Sequence, residues 1–309
     1  MAHALQFATA LALAGLGLGC SSQPGATPPS GSGASIAAPA IGLQVASTPI
    51  TVAAGAEQYS CWSFEMPSAF SVVGIETGLP ATGVHHYAVF TSSAPLPASP
   101  SGYDCSVMDG TWGLVAGGGR GTPGFTFPQG VGMPLPAGQH VVFQLHLLNA
   151  SAAPLTVPIS AVNLVGSTDA KLQTAGVIVA GNLDITVPAH STATTITGGC
   201  PAPWPLQNVF ALFPHMHQLG THITMSVTKQ GSATPSVLLD QSWDFGAQGV
   251  YPATGTAAMG DQVAVTCTFN NPGMNDVHFG ESSNDEMCLG VLYYYPAQQA
   301  SAYCGFASH

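Results

Sequence analysis

His140-Val141-Val142-Phe143-Gln144-Leu145-His146-Leu147-Leu148 contains no glycine, proline or charged side chain, and its branched and aromatic residues suit an extended backbone. A strand repeats every two residues, so His140, Gln144 and His146 share one face. Val209-Phe210-Ala211-Leu212-Phe213 and Val291-Leu292-Tyr293-Tyr294-Tyr295 read the same way. Turn signals such as Thr82-Gly83, Ala137-Gly138 and Asn271-Pro272-Gly273 separate short apolar runs, and 37 Gly with 25 Pro oppose long helices. The expected class is all-β with sandwich-like patterning. A length of 309 residues suggests two domains. The apolar pattern lapses between Ser167 and Ala175, which sets the expected boundary near residue 170 and gives domains over 43–169 and 170–309. The run Gly117-Gly118-Gly119-Arg120-Gly121 lacks phosphate-loop spacing and reads as a mobile surface loop.

Only 3 residues are Lys or Arg against 14 Asp or Glu, a net charge of −11 with 11 His neutral. No basic patch for nucleic acid can be built from Arg120, Lys171 and Lys229. Charged residues are 6% and hydrophobic residues 46% of the chain, so charge-driven disorder is excluded as well. Ala4 to Gly19 is almost wholly apolar, too short for a membrane span and suited to a secretory signal over 1–19. Leu16-Gly17-Leu18-Gly19-Cys20 resembles a bacterial lipobox, and a Ser/Pro/Gly/Ala tether follows to about residue 42. The expectation is an exported chain, lipidated at Cys20 and membrane-anchored, facing the periplasm or cell surface. No protein partner is indicated.

Apart from Cys20, six cysteines remain: Cys61, Cys105, Cys200, Cys267, Cys288 and Cys304. An even set in an exported chain suggests three disulfides, and the spacing leaves all 15 pairings open. No C-x-x-C pair is present, which disfavours a thiolate zinc site.

Three features carry chemistry. His85-His86 is an adjacent pair, His215-Met216-His217 places two imidazoles on one side of a strand, and Met287 lies in Asp285-Glu286-Met287-Cys288. Adjacent strand residues point to opposite faces, so joint use of His85 and His86 requires a strand end or bulge, with His146 the best third partner. His222 and His278 are candidates for supporting roles. Taken alone, these patterns reach as far as an exported β-protein that binds a transition metal.

The combination resembles the copper type II, ascorbate-dependent monooxygenases. The resemblance implies two tandem antiparallel, jelly-roll-like β-sandwiches with a copper on each, facing a shared cleft. His85, His86 and His146 would hold the first copper, and His215, His217 and Met287 the second. It also implies the pairs Cys61–Cys105, Cys200–Cys304 and Cys267–Cys288. Tyr59 matches a family tyrosine near the first site, and Gln144, His278 and Glu286 fall where supporting residues are expected. The first copper would pass electrons from a reductant such as ascorbate, and the second would be where O₂ is activated to hydroxylate a substrate C–H bond.

Departures concern the substrate. Peptide-hydroxylating members carry an Arg where this chain has Phe213, and a Tyr where it has Val291. Without a guanidinium there is no bidentate clamp for a carboxylate. Phe213, Leu289, Val291 and Tyr293 therefore suggest a pocket for a small apolar or aromatic substrate. The competing readings are a non-catalytic copper-binding or electron-transfer lipoprotein on the same scaffold, and a structural module with buried histidines.

Overall fold

The computed structural model describes residues 36–106 and 109–306. Cys20, the expected signal and most of the expected tether lie outside the described residues. No helix occurs among the described residues, and nearly all strand pairing is antiparallel. The protein is all-β, as composition and turn spacing lead one to expect.

Four sheets carry most of the fold. The first half of the chain forms a six-stranded sheet centred on Phe70–Gly78 and Ala161–Ser167. It also forms a five-stranded sheet in which Glu57–Glu65, His140–Leu148, Val84–Ser92 and Trp112–Gly119 lie side by side. The short strand Gln173–Thr174 still pairs with Val131–Leu135, and the chain passes to the second group of sheets at Gly176–Asn182. There a five-stranded sheet contains Leu206–Met216, Cys288–Tyr295 and Gly176–Asn182 as adjacent strands. A four-stranded sheet of Ser191–Pro201, Gln262–Asn271, Gly220–Thr228 and Ser236–Ser242 covers its outer face.

Alternation along the central strands shows how the layers stack. Val177, Val179, Phe213, Val291 and Tyr293 belong to the core shared with the first half. Ile178, Ala180, Leu212, Leu292 and Tyr294 point the other way into a second core. A sheet buried on both faces needs apolar residues at every position, which is why these strands read as continuous hydrophobic runs rather than alternating ones. The two five-stranded sheets are thus the inner layers, and both histidine sets sit on them.

The strand His140–Leu148 has the bounds read from sequence. The glycine run departs from its reading as a loop. Gly117, Gly118 and Gly119 are buried in the strand Trp112–Gly119, opposite Ala88, Tyr87 and His86. A Cβ on Gly117 would lie 3.0 Å from the Phe213 ring, and one on Gly119 2.8 Å from the Gln248 carbonyl oxygen. Glycine is required here by close approach of another chain segment, not by loop flexibility.

Disulfides join Cys61 to Cys105, Cys200 to Cys304, and Cys267 to Cys288. Loops of 44, 104 and 21 residues are closed. Chain-entropy reasoning gives about 3 to 5 kcal/mol of stabilisation for each. The third pins the residue that directly follows Met287.

Candidate metal centres

The first centre depends on a backbone irregularity. His146 pairs with His86, but the next residue, Leu147, pairs with Val84, leaving His85 as the extra residue of a β-bulge. The bulge turns His85 to the same side as His86. Their Nδ1 atoms lie 3.2 Å apart, and the distances to His146 Nδ1 are 3.3 Å from His85 and 3.4 Å from His86. The centre of such a triangle is about 1.9 Å from each corner, close to a metal–imidazole bond length of about 2.0 Å.

Hydrogen bonds on the far side of two of the rings assign the Nδ1 atoms of His146 and His85 as lone-pair donors. His146 Nε2 donates to Glu57 Oε1 at 2.5 Å, and His85 Nε2 donates to the Phe245 carbonyl at 2.9 Å. With Nε2 carrying the proton, Nδ1 is left with its lone pair. Converging lone pairs repel unless a cation lies among them, so the donor set fits a metal ion. Phe245 also stacks on His85 at 3.9 Å, and Tyr59 stacks on His146 at 4.2 Å. Burial, with His146 nearby, lowers the His85 pKa to about 4, and burial holds His86 well below the ordinary value. Both rings are neutral at neutral pH.

Glu57 is more than a partner for His146. Its side chain is 17% exposed, and it also accepts from the Ser283 amide at 2.6 Å and the Ser282 hydroxyl at 2.8 Å. Burial would raise its pKa, but these bonds and the one from His146 outweigh it and lower the value to about 2. The Tyr59 hydroxyl donates to the Glu281 carbonyl at 2.8 Å. Burial, aided by the Glu57 charge, pushes the Tyr59 pKa up, so the phenol remains a donor.

The second set uses the opposite nitrogens. His215 Nδ1 donates to Gln248 Oε1 at 2.8 Å, and His217 Nδ1 donates to the Asp285 carbonyl at 3.1 Å. Both rings therefore offer Nε2. His217 Nε2 is buried without a hydrogen-bond partner, an orphan that a bound metal would satisfy. Burial lowers the His217 pKa to about 4 and holds His215 well below its ordinary value. Met287 is buried beside the same cavity as His215. Two imidazoles and a thioether make a softer set than three imidazoles and favour Cu(I).

Glu286 organises this second set from below. It is fully buried and accepts the amides of His217 at 3.0 Å, Leu219 at 2.6 Å and Met287 at 3.3 Å. Burial raises its pKa to about 7 despite those amides. One carboxylate thus joins the backbone of His217 to that of Met287.

A cavity of about 80 Å³ lies between the inner sheets. Phe213, Leu289 and Val291 line it from one side, and Ala88, Phe90 and Leu114 from the other, with His86, His215 and Met287. No Lys, Arg, Asp or Glu is among its lining residues. Tyr293 is a correction: it does not line the cavity. It sits one strand repeat beyond Val291, opposite Ala211 rather than Phe213, and is buried against Phe125. His278 is a second correction, since its exposed ring meets Thr186 Oγ1 at 3.2 Å and only its carbonyl serves the site, by accepting from the Glu286 amide. Gln144 is buried, lines the cavity and donates to the Ser106 carbonyl at 2.9 Å beside the Cys61–Cys105 bridge. His222 pairs with Asp240 on the outer sheet, away from both centres. Glu57, Phe245 and Gln248 escaped the sequence reading. Only Glu57 left a trace there, as an acid two residues before Tyr59 on the same strand face.

Residues 173–308 match the family model described as copper type II ascorbate-dependent monooxygenase, C-terminal domain. Over these residues the chain is similar to the copper type II, ascorbate-dependent monooxygenase family. Curated relatives extend the likeness upstream. The chain is 26% identical over 261 residues to peptidyl-glycine alpha-amidating monooxygenase A of Xenopus laevis, covering 80% of this chain and 27% of that protein. It is 27% identical over 247 residues to DBH-like monooxygenase protein 1 of Mus musculus, covering 69% and 39%. Tyramine beta-hydroxylase of Caenorhabditis briggsae is 23% identical over 241 residues, covering 70% and 40%. The chain therefore spans well under half the length of these relatives. In this family the cofactor is copper and the reductant ascorbate, and the histidine sets described above supply donors suited to that metal.

Proposed function

We propose that the protein is a copper-dependent monooxygenase that hydroxylates a C–H bond of a small apolar or aromatic substrate, using O₂ and a reductant such as ascorbate. His85, His86 and His146 would hold one copper, and His215, His217 and Met287 a second. The observation that carries this reading is the convergence of three Nδ1 atoms on one side and the orphaned Nε2 of buried His217 on the other.

Bound copper would supply the one-electron chemistry that divides O₂ between a substrate hydroxyl and water. The protein's own groups supply position. Glu57 and the Phe245 carbonyl hold His146 and His85 in the tautomer that presents Nδ1, while Gln248 and the Asp285 carbonyl do the converse for His215 and His217. The apolar walls exclude water beside Met287 and receive an uncharged group. A cavity of about 80 Å³ is smaller than the roughly 150 Å³ that accommodates benzene. It suits a short hydrocarbon arm, with a larger substrate requiring the walls to move. A carboxylate-terminated peptide finds no partner there. The three disulfides support export, and acylation at Cys20 with membrane anchoring completes the proposal.

The test combines copper content with oxygen uptake. Two coppers per chain, reductant-dependent O₂ consumption stimulated by small uncharged hydrocarbons, and recovery of hydroxylated product support the reading. Two coppers without substrate-stimulated uptake identify an electron-transfer protein instead. Failure to retain copper removes the metal reading altogether.

A further inference from the structure

The loop that precedes Met287 is fastened to the other inner sheet at one carboxylate. Glu57 opens the strand Glu57–Glu65, next to the His146 strand, and is separated from Ser282 and Ser283 by more than two hundred residues. Its Oε1 accepts from both His146 Nε2 and the Ser283 amide, while Oε2 accepts from the Ser282 hydroxyl. Tyr59, on the same strand face, adds a bond to the Glu281 carbonyl. Two residues beyond Ser283, the Asp285 carbonyl accepts from His217 Nδ1. A continuous path thus runs from a ligand of the first centre, through Glu57 and the segment Glu281–Asp285, to a ligand of the second.

We propose that Glu57 is a positioning residue for both centres at once, orienting His146 directly and His217 through the Ser282–Asp285 loop. This rests on the reading that both sets bind copper. The alternative, a carboxylate serving His146 alone, leaves the bonds to Ser282 and Ser283 without consequence for the second centre. A backbone amide and a hydroxyl both directed at one carboxylate restrict the loop more tightly than packing would, because each bond fixes direction as well as distance.

The experiment uses Glu57→Ala, Glu57→Gln and Ser282→Ala, with hydrogen exchange on the apo-protein and copper titration against a competing chelator. A His215→Ala/His217→Ala background isolates the first centre, and a His85→Ala/His86→Ala background the second. Glu57→Ala is expected to weaken copper at each centre by about 10- to 100-fold, the usual effect of losing a partner behind a metal ligand. It is also expected to raise exchange about 10-fold or more at the amides of residues 281–285, with the outer sheets unchanged. Ser282→Ala should raise loop exchange and weaken the second centre while leaving the first within about 2-fold. If Glu57→Ala does not fold, Glu57→Gln, which removes the charge and one acceptor, must show the same two-centre pattern in reduced form. Weakening confined to the first centre, with loop exchange unaltered, overturns the proposal. Wild-type protein that takes up no copper defeats the function instead, and the exchange measurement then decides by itself whether Glu57 holds the loop.

Discussion

The imidazoles of His86 and His215 meet edge to face, with centroids 5.0 Å apart and planes at 78°. They belong to different candidate sets, so the two candidate centres are direct neighbours across the interface of the inner sheets. Gln248 links the two: its Oε1 accepts from His215 Nδ1, and its Nε2 donates at 3.4 Å to the Phe245 carbonyl that also accepts from His85 Nε2. Magnetic dipolar coupling falls with the cube of separation, so neighbouring Cu(II) ions are expected to broaden each other's resonance. Fully loaded oxidised protein should give an electron paramagnetic resonance spectrum broader than that of the His215→Ala/His217→Ala variant. A spectrum equal to the sum of two isolated centres would show that the sheets stand apart in solution.

Acid should weaken the fold and the metal sites together. Burial lowers the pKa of His85 and His217 from the ordinary 6.5 to about 4 in the folded chain. Between those values the unfolded chain binds more protons than the folded one, so stability is fully present above 6.5, falls as the pH drops, and levels off below about 4. A shift of this size corresponds to roughly 3 kcal/mol per group at most. Apo-protein melts are expected to show a Tm that declines over this window, and copper should remain bound at pH 5 but leave near pH 4. A flat Tm between 6.5 and 4 would mean that these rings are solvated.

Much of this site was legible from local pattern, and what escaped has a common cause. His215 and His217 share a strand face because two-residue spacing requires it, and the nine-residue His146 strand carries its own signal in its branched and aromatic residues. The adjacent pair His85-His86 required a bulge, which the register at Leu147 supplies. Glu57 and Gln248 act on partners 89 and 33 residues away, and such partnerships leave no periodic trace. Leu289 and Val291 line the cavity, whereas Tyr293, next along the same face, lies beyond it. Period two identifies the face of a strand but not how far along it a cavity extends.

The glycine strand makes a substrate prediction. Gly117 faces Phe213 with no room for a Cβ at ordinary contact distance, and both residues line the cavity. In Gly117→Val the Phe213 ring must move, and the open space is the cavity itself. Overpacking of this kind costs about 1 to 3 kcal/mol. Copper content should stay at the wild-type value while KM for the best substrate rises about 10-fold or more, a change of about 1.4 kcal/mol in binding. Unchanged KM with normal copper would place the substrate elsewhere.

Met287 separates metal retention from oxygen chemistry. On the proposed reading its thioether would be the soft member of the second set, whereas His215 and His217 are each held by a hydrogen bond that does not involve it. In Met287→Ala both imidazoles should therefore keep their orientation, and most second-site copper should remain under moderate chelator competition. What is lost is the preference for Cu(I), the oxidation state that a reductant must generate before O₂ can react. Substrate-dependent oxygen uptake is expected to fall about 100-fold, equivalent to about 2.7 kcal/mol in the barrier. Met287 and Cys288 are adjacent, and the Cys267–Cys288 bridge holds this end of the strand in place, so the substitution should not loosen the backbone. Full turnover in Met287→Ala would remove the thioether from the ligand set and leave the second centre to its two histidines.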